Sequence, residues 1–290
     1  MVKNLKDLMK KFSDESKCRE MLIQQRWNSV PVCPHCGCSK SYRIEAGKRF
    51  KCANSECYKK YSVTVGTVFE ATNIPLTTWF PAMYLIASHK KGISSCQLAR
   101  DLGVTQKTAW FMLHRIRESL KENHTELLSG IVQADETFVG GANKNRHNNK
   151  KHIDENGKPF DIKAPVMGAI ETGGKVRTRV VNAVTKKNAI DFIADNVMKG
   201  VTLVTDSNPS YFKVGKKFDH IMVNHSMGEY SVNGFHTNGM ENYWSVLKRG
   251  IYGIYHQVSP KHLQRYCDEF AYRFNSRKMR DGDRFELSHR

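Results

Sequence analysis

Residues Gly130 to Gly141, GIVQADETFVGG, set two adjacent carboxylates, Asp135 and Glu136, inside an apolar stretch that reads as a strand over Ile131 to Val139. Acids in such a strand are costly unless a metal ion or an ion pair offsets their desolvation. Two later segments supply what a metal site needs. VTLVTDSNPSY is an apolar strand ending on Asp206, and HTNGMENYWSVLKRG reads as a helix carrying Glu241. Asp135, Asp206 and Glu241 are therefore expected to converge on a divalent metal.

The charge balance says what such a site would act on. Lys plus Arg outnumber Asp plus Glu by 46 to 28, a formal net charge of +18. An excess of this size favours a polyanionic partner, with nucleic acid the first expectation. The N-terminus, MVKNLKDLMKKF, lacks the apolar core of a secretion signal, and no apolar run approaches the roughly 20 residues of a membrane span. A cytoplasmic, nucleoid-associated location without membrane contact is expected. The eight cysteines are then expected to stay out of disulfides, and a regularly spaced subset to bind metal.

Residues 5 to 27 read as helical, and a cysteine-rich segment follows. Cys33-x2-Cys36 and Cys52-x4-Cys57 form two knuckles around a basic hairpin-like stretch. Four thiolates make a closed tetrahedral set for structural Zn²⁺. His35 and Cys38 lie close enough to compete, and Gly37 permits the tight turn beneath the metal. Cys18, Cys96 and Cys267 are isolated and read as ordinary reduced thiols.

Ile74 to His89 is an aromatic-rich helical segment. In GISSCQLARDLGVTQKTAWFMLHRIRESL, Ser94 or Ser95 caps a helix through Leu102, Gly103 turns the chain, and Thr105 caps a second helix over Lys107 to Leu120. This is a helix-turn-helix layout. Thr105, Gln106, Lys107 and Thr108 would face DNA, with Arg115 and the neighbouring His114 and Arg117 adding basic character. The alternative is a packing hairpin that never meets a groove.

Beyond Gly141, residues 143–163 form a basic polar insertion with Lys144, Arg146, Lys150 and Lys151. It reads as a mobile loop, either a DNA clamp or a solvated surface. Two strands then join at Thr172-Gly173-Gly174, followed by a helix over Lys187 to Met198, the Asp206 strand, a fifth strand in HIMVNHS and the Glu241 helix. This order is that of an RNase H-like domain, in which the first strand lies beside the fourth. On the last of these helices Asn238, Glu241, Ser245 and Lys248 share one face. Asn238-x-x-Glu241 is also a capping-box spacing, so Glu241 could instead tie down the helix start. Asn238 or Glu136 would then have to supply the missing ligand. A tail helix, PKHLQRYCDEFAYRFNSRK, packs its aromatic stripe on the core.

The chain resembles the ISXO-two-like insertion-sequence transposases of bacteria, the IS-fifteen-ninety-five family. The likeness runs through CPHCG and its second cysteine pair, YSVTVGTVFEATNIPLTTWF, GISSCQLARDLGVTQKTAW, QADETFVGG, VTDS and HTNGMENYWSVLKRGIYGIYHQVSPKHLQRY. It implies an α/β multidomain protein: an N-terminal helix and zinc ribbon over 1–70, a helix-turn-helix region over 71–128, and an RNase H-like mixed-sheet catalytic core with C-terminal helices over 129–290. It also implies a transposase with an Asp/Asp/Glu triad, Asp135, Asp206 and Glu241, using two Mg²⁺ ions or Mn²⁺. Lys248 would follow as a phosphate-holding lysine, and Asn238 is a further candidate participant because some relatives use Asn as the third residue. The implied partners are terminal inverted repeats and target DNA, handled by a homodimer or larger synaptic assembly. Two rivals remain: a DNA-binding regulator that has lost catalysis, and an RNase H-like structure-specific nuclease.

Overall fold

The computed structural model describes residues 2–121, 126–141, 143–145, 147–158, 163–214, 218–224, 227–229 and 231–288. They form two units, one of 1–120 with 278–290 and one of 121–277.

In the first unit the helical stretch expected over 5 to 27 is two helices, α1 (Leu5–Lys11) and α2 (Glu15–Trp27). The break has a local cause. Asp14 is extended and its side chain accepts from the Lys17 backbone N–H, which caps α2. Three short antiparallel strands follow, β1 (Ser41–Ile44), β2 (Arg49–Cys52) and β3 (Lys60–Tyr61). Trp27 stands edge-on to Phe50 and Tyr61, each 5.9 Å away, and so fixes this small sheet against the end of α2.

Helix α3 (Leu76–Ser88) is buried along nearly its whole length. It leads into α4 (Ser95–Leu102) and α5 (Gln106–Ser119). Both expected caps form: Ser94 accepts from Gln97 N and Thr105 from Thr108 N. Gly103 takes the left-handed turn with φ +64°. One element departs from the expected organisation. The last helix of the chain, Asp281–Ser288, packs in this unit rather than with the core that precedes it in sequence. Its Phe285 ring lies 5.7 Å from Phe80 and 6.3 Å from Tyr84.

The second unit is built on a five-stranded mixed sheet. Its strands are β4 (Ile131–Val139), β5 (Ala164–Glu171), β6 (Val176–Val180), β7 (Thr202–Asp206) and β8 (Asp219–Val223), in the spatial order β6-β5-β4-β7-β8. β4 is antiparallel to β5 and parallel to β7, and β7 is parallel to β8. An antiparallel hairpin leading into a parallel crossover, with the first strand central beside the fourth, is the RNase H-like topology expected from the sequence.

Each face of the sheet has its own core. Val132 and Ala134 pack with Leu203 and with Ala189, Phe192 and Ile193 of α6 (Lys186–Asn196). Val139, Val166 and Ile170 pack with Met240, Tyr243, Trp244 and Leu247 of α7 (Asn238–Gly250) and with Leu263 and Phe270 of α8 (Pro260–Asn275). Alternation along β4 therefore assigns even positions to the α6 side and odd positions to the α7 side. Among the described residues, no helix is long and apolar enough to cross a membrane.

Candidate active site and metal centres

Asp135 lies on the α7 side of β4, where Trp244 donates its indole N–H to Asp135 Oδ2 at 3.0 Å. The cross-strand neighbour of Asp135 is Gly168. A Cβ at Gly168 would stand 2.4 Å from Met240 Cε and 2.6 Å from the Trp244 ring. The absent side chain is what allows α7 to approach the sheet closely enough for the indole to reach the acid. A second tie holds the start of α7. Gln133, two residues before Asp135 and on the same face, accepts from Gly239 N at 2.8 Å and Met240 N at 3.3 Å. A side chain of the central strand thus supplies an acceptor at the helix start, to Gly239 N and, beside the Thr237 carbonyl, to Met240 N.

Asp206 ends β7. Pairing between β4 and β7 stops at Ala134–Thr205, which leaves Asp135 and Asp206 just past the last paired residues of two parallel neighbours. Asp206 Oδ1 accepts from Asn208 N at 3.1 Å, and Asn208 in turn donates its side-chain amide to Glu136 Oε1. One carboxylate oxygen each from Asp135, Glu136 and Asp206 lies within 4.8 Å of the others. Burial, with the nearby charges of Glu136 and Asp206, pushes the Asp135 carboxyl up to about 7. Burial and Asp206 raise Glu136 as well. Crowded carboxylates of this kind are relieved by a cation. An all-oxygen donor set with a buried, unpartnered Glu136 Oε2 fits a hard divalent ion such as Mg²⁺.

Glu241 stands apart from this trio but shares its cleft. Asp135, Glu136, Thr137, Glu241, Ser245 and Lys248 line a depression of about 870 Å³, with Trp244, Arg249, Tyr252 and Gly253 completing it. The capping-box reading of Glu241 does not hold in register. Thr237 is the N-cap, so Glu241 is the fourth helical residue rather than the third. Asn238 is the first helical residue and is exposed. It does not line the cleft, although Glu241, Ser245 and Lys248 of the same expected stripe do. After α7 the chain continues as a π-helical turn, Ile251–Tyr255, at the mouth of the cleft.

In the first unit, sulfur atoms of Cys33, Cys36, Cys52 and Cys57 gather within 4.8 Å of one another. Cys33 and Cys57 are 3.8 Å apart, and Cys36 and Cys52 are 3.5 Å apart. The four fit a closed tetrahedral Zn²⁺ site. Gly37 takes φ +74° and donates to Cys33 O at 2.9 Å, and Tyr58 takes φ +47° directly after Cys57. Each knuckle therefore turns through a left-handed residue after its second cysteine. Cys38 turns away to the Lys40 carbonyl.

On α5, Thr105, Gln106 and Lys107 are exposed and Thr108 is half-buried. The basic character expected farther along that helix is not at its surface. His114 and Arg117 are 5% and 1% exposed. Arg115 donates to Glu70 O at 2.7 Å and Thr67 O at 3.4 Å, which commits its guanidinium to the fold. The exposed side chains there are Trp110, Phe111 and the acidic Glu118. In the basic insertion, Lys144 and Lys150 are exposed and Lys151 is half-buried, while Arg146 lies outside the described residues. Asn143 pins this segment to His152 through paired bonds of 2.8 and 2.9 Å, a local tie in a stretch expected to be a mobile loop.

Residues 127–275, just over half of the chain, match the ISXO2-like transposase domain, and residues 13–60 match the transposase zinc-ribbon domain. An uncharacterized protein in transposable element ISH50 of Halobacterium salinarum is 26% identical over 279 residues, covering 91% of this chain and 92% of that protein. Among solved structures, the Mos1 strand transfer complex aligns at 12% identity and a TM-score of 0.26, over 70% of this chain and 78% of that one. A chain of the simian T-cell lymphotropic virus intasome in complex with a PP2A regulatory subunit aligns at 16% identity and a TM-score of 0.29, over 64% of this chain and 66% of that one. With its transposase-domain match, its zinc-ribbon match and a mixed sheet carrying paired acids at its centre, the chain belongs to the ISXO2-like transposase family.

Proposed function

We propose that the protein is a metal-dependent DNA transposase that binds the terminal inverted repeats of its element, cleaves DNA at their boundary and joins the freed 3′-OH to target DNA. The observation that carries this reading is the meeting of Asp135 and Asp206 at the ends of parallel β4–β7 pairing, in a chain of this family. A pair of Mg²⁺ ions, or Mn²⁺, would activate the attacking oxygen and stabilise the leaving oxygen in phosphoryl transfer. Asp135 and Asp206 hold metal from the sheet, Trp244 fixes the Asp135 carboxylate, and Glu241 contributes from α7. Lys248, in the same cleft, is suited to hold a phosphate oxygen. Asn238, exposed outside the cleft lining, has the weaker claim.

DNA reading falls to the N-terminal regions. In this scheme 1–70 and 71–128 form the zinc ribbon and helix-turn-helix, and 129–290 the catalytic region, less its last helix. Thr105, Gln106, Lys107 and Thr108 open the recognition helix, while Lys144, Lys150 and Lys151 contact backbone phosphates. The ribbon zinc is structural, because its four thiolates leave no open position. Both element ends must be held together before cutting, so a homodimer or larger assembly on DNA in the nucleoid is expected.

The test is a Mg²⁺-dependent cleavage assay on labelled DNA carrying the element's own ends. Wild type should cut at the repeat boundary, and Asp135→Asn or Asp206→Asn should abolish cutting while end binding persists. Near-normal cleavage by either variant would overturn the assignment.

A further inference from the structure

Glu136 belongs to the opposite face of β4 from Asp135, yet its carboxylate reaches the same point. Being even-numbered it points to the α6 side, and it gains access to Asp206 because β4–β7 pairing has already ended at Ala134–Thr205. Asn208 holds Glu136 Oε1. Oε2 is buried and has no hydrogen-bond partner. Beside it lies Tyr211, whose side chain is fully buried in the α6-side core. The Tyr211 hydroxyl faces Glu136, within the field of Asp135 and Asp206 too, near enough to act on the carboxylate as a hydrogen-bond donor but short of the geometry of a full bond. Two buried polar groups left incomplete at one point are costly to a fold unless a ligand or a small movement completes them. Glu241, by contrast, is exposed and outside the three-carboxylate cluster.

Resting on the functional reading above, we propose that Glu136 is a direct metal ligand in the DNA-free protein. With Asp135 and Asp206 it forms the set that binds the first divalent cation, and Asn208 and Tyr211 are its positioning residues. On cation binding, one Glu136 oxygen faces the metal and the other is held by the Asn208 amide. A small shift lets the Tyr211 hydroxyl donate to the carboxylate, which fixes its orientation. The sheet thus binds its first ion from both faces, and Glu241 enters from α7 as a separate contributor.

The test is Mn²⁺ binding to the full-length, DNA-free protein, read by electron paramagnetic resonance of free Mn²⁺, with no activity measurement involved. Glu136→Gln should weaken the tightest Mn²⁺ site at least tenfold, as Asp135→Asn does, and Glu241→Gln should change it less than threefold. Tyr211→Phe should weaken it severalfold with little change in the metal-free melting temperature, since the approach of the hydroxyl to Glu136 falls short of a full bond. Unchanged Mn²⁺ affinity in Glu136→Gln, beside a loss in Asp135→Asn, would overturn the proposal and leave the transposase reading intact. No Mn²⁺ binding by the wild type would overturn it as well. Failure of the transposase reading would appear separately, as Mn²⁺ binding without DNA cleavage.

Discussion

Asp135 should be a stability liability whenever metal is absent, and Asp135→Asn should remove it. In the metal-free fold, burial and the charges of Glu136 and Asp206 raise its carboxyl from 3.8 to about 7. In the unfolded chain it titrates near 4. Between these values the folded protein holds a proton that the unfolded chain has released, so stability falls as pH rises from about 4 to about 7. Above about pH 7 the loss is complete. A shift of about three units at about 1.4 kcal/mol each sets an upper bound on the order of 4 kcal/mol. Glu136 shares the repulsion, so the effect of one substitution falls below that bound. Asn keeps the shape and can still accept from Trp244, so little else changes. At about 2–4 °C per kcal/mol for a domain of this size, Asp135→Asn should melt higher than wild type by up to roughly 8–16 °C at pH 8 in chelator. The difference should shrink toward pH 4. Added Mg²⁺ should raise the wild-type melting temperature and leave the variant unmoved. Thermal melts at pH 5 and pH 8, with and without Mg²⁺, measure this. A variant that melts at or below wild type at pH 8 in chelator would refute the electrostatic argument.

Gly168→Ala should destabilise the second unit by about 1–3 kcal/mol, because its methyl group would press on Met240 and Trp244. It should also lower cleavage by loosening the indole on Asp135, and a wild-type melt with wild-type cleavage would contradict that close fit. Cys36→Ser should lose bound zinc by metal analysis and lower the melting temperature, whereas Cys38→Ser should keep one zinc per chain, since Cys38 turns to a carbonyl. Lys107→Ala should weaken binding to the element ends and reduce the salt dependence of binding by about one ion. An unchanged salt slope would take Lys107 off the DNA.

The parts of the fold that were legible in the sequence are those set by local rules. The apolar run over Ile131 to Val139, the Gly173 turn, and the Ser94 and Thr105 caps each depend on neighbours a few residues away. The four cysteines were legible for the same reason, since knuckle spacing dictates their approach. What local pattern did not show are pairings between residues far apart in the chain. Gln133 reaches the start of α7, Trp244 reaches Asp135, and Phe285 returns to α3. The isolated Gly168 in an otherwise apolar strand was a readable signal of close approach, but its partner was not readable. Basic residues on α5 misled for a related reason: charge can be counted in a sequence, whereas the burial of His114 and Arg117 depends on packing around them.

The same distinction explains why strand register matters to the chemistry. A slip of β4 by one residue would exchange its faces, placing Glu136 toward Trp244 and Asp135 toward Tyr211. Both residues are acids, so neither local propensity nor charge resists the exchange. Resistance comes from their neighbours. Gln133 would turn into the apolar α6-side core and leave Gly239 N without its side-chain acceptor. Gly168 would no longer lie opposite the residue that receives the indole N–H. Val132 and Ala134 would leave the core that holds α6. The position of a single carboxylate is thus enforced by an amide two residues earlier, a missing side chain on the next strand and an indole more than a hundred residues later. Preorganisation of this kind lets Asp135 tolerate burial that its own charge disfavours.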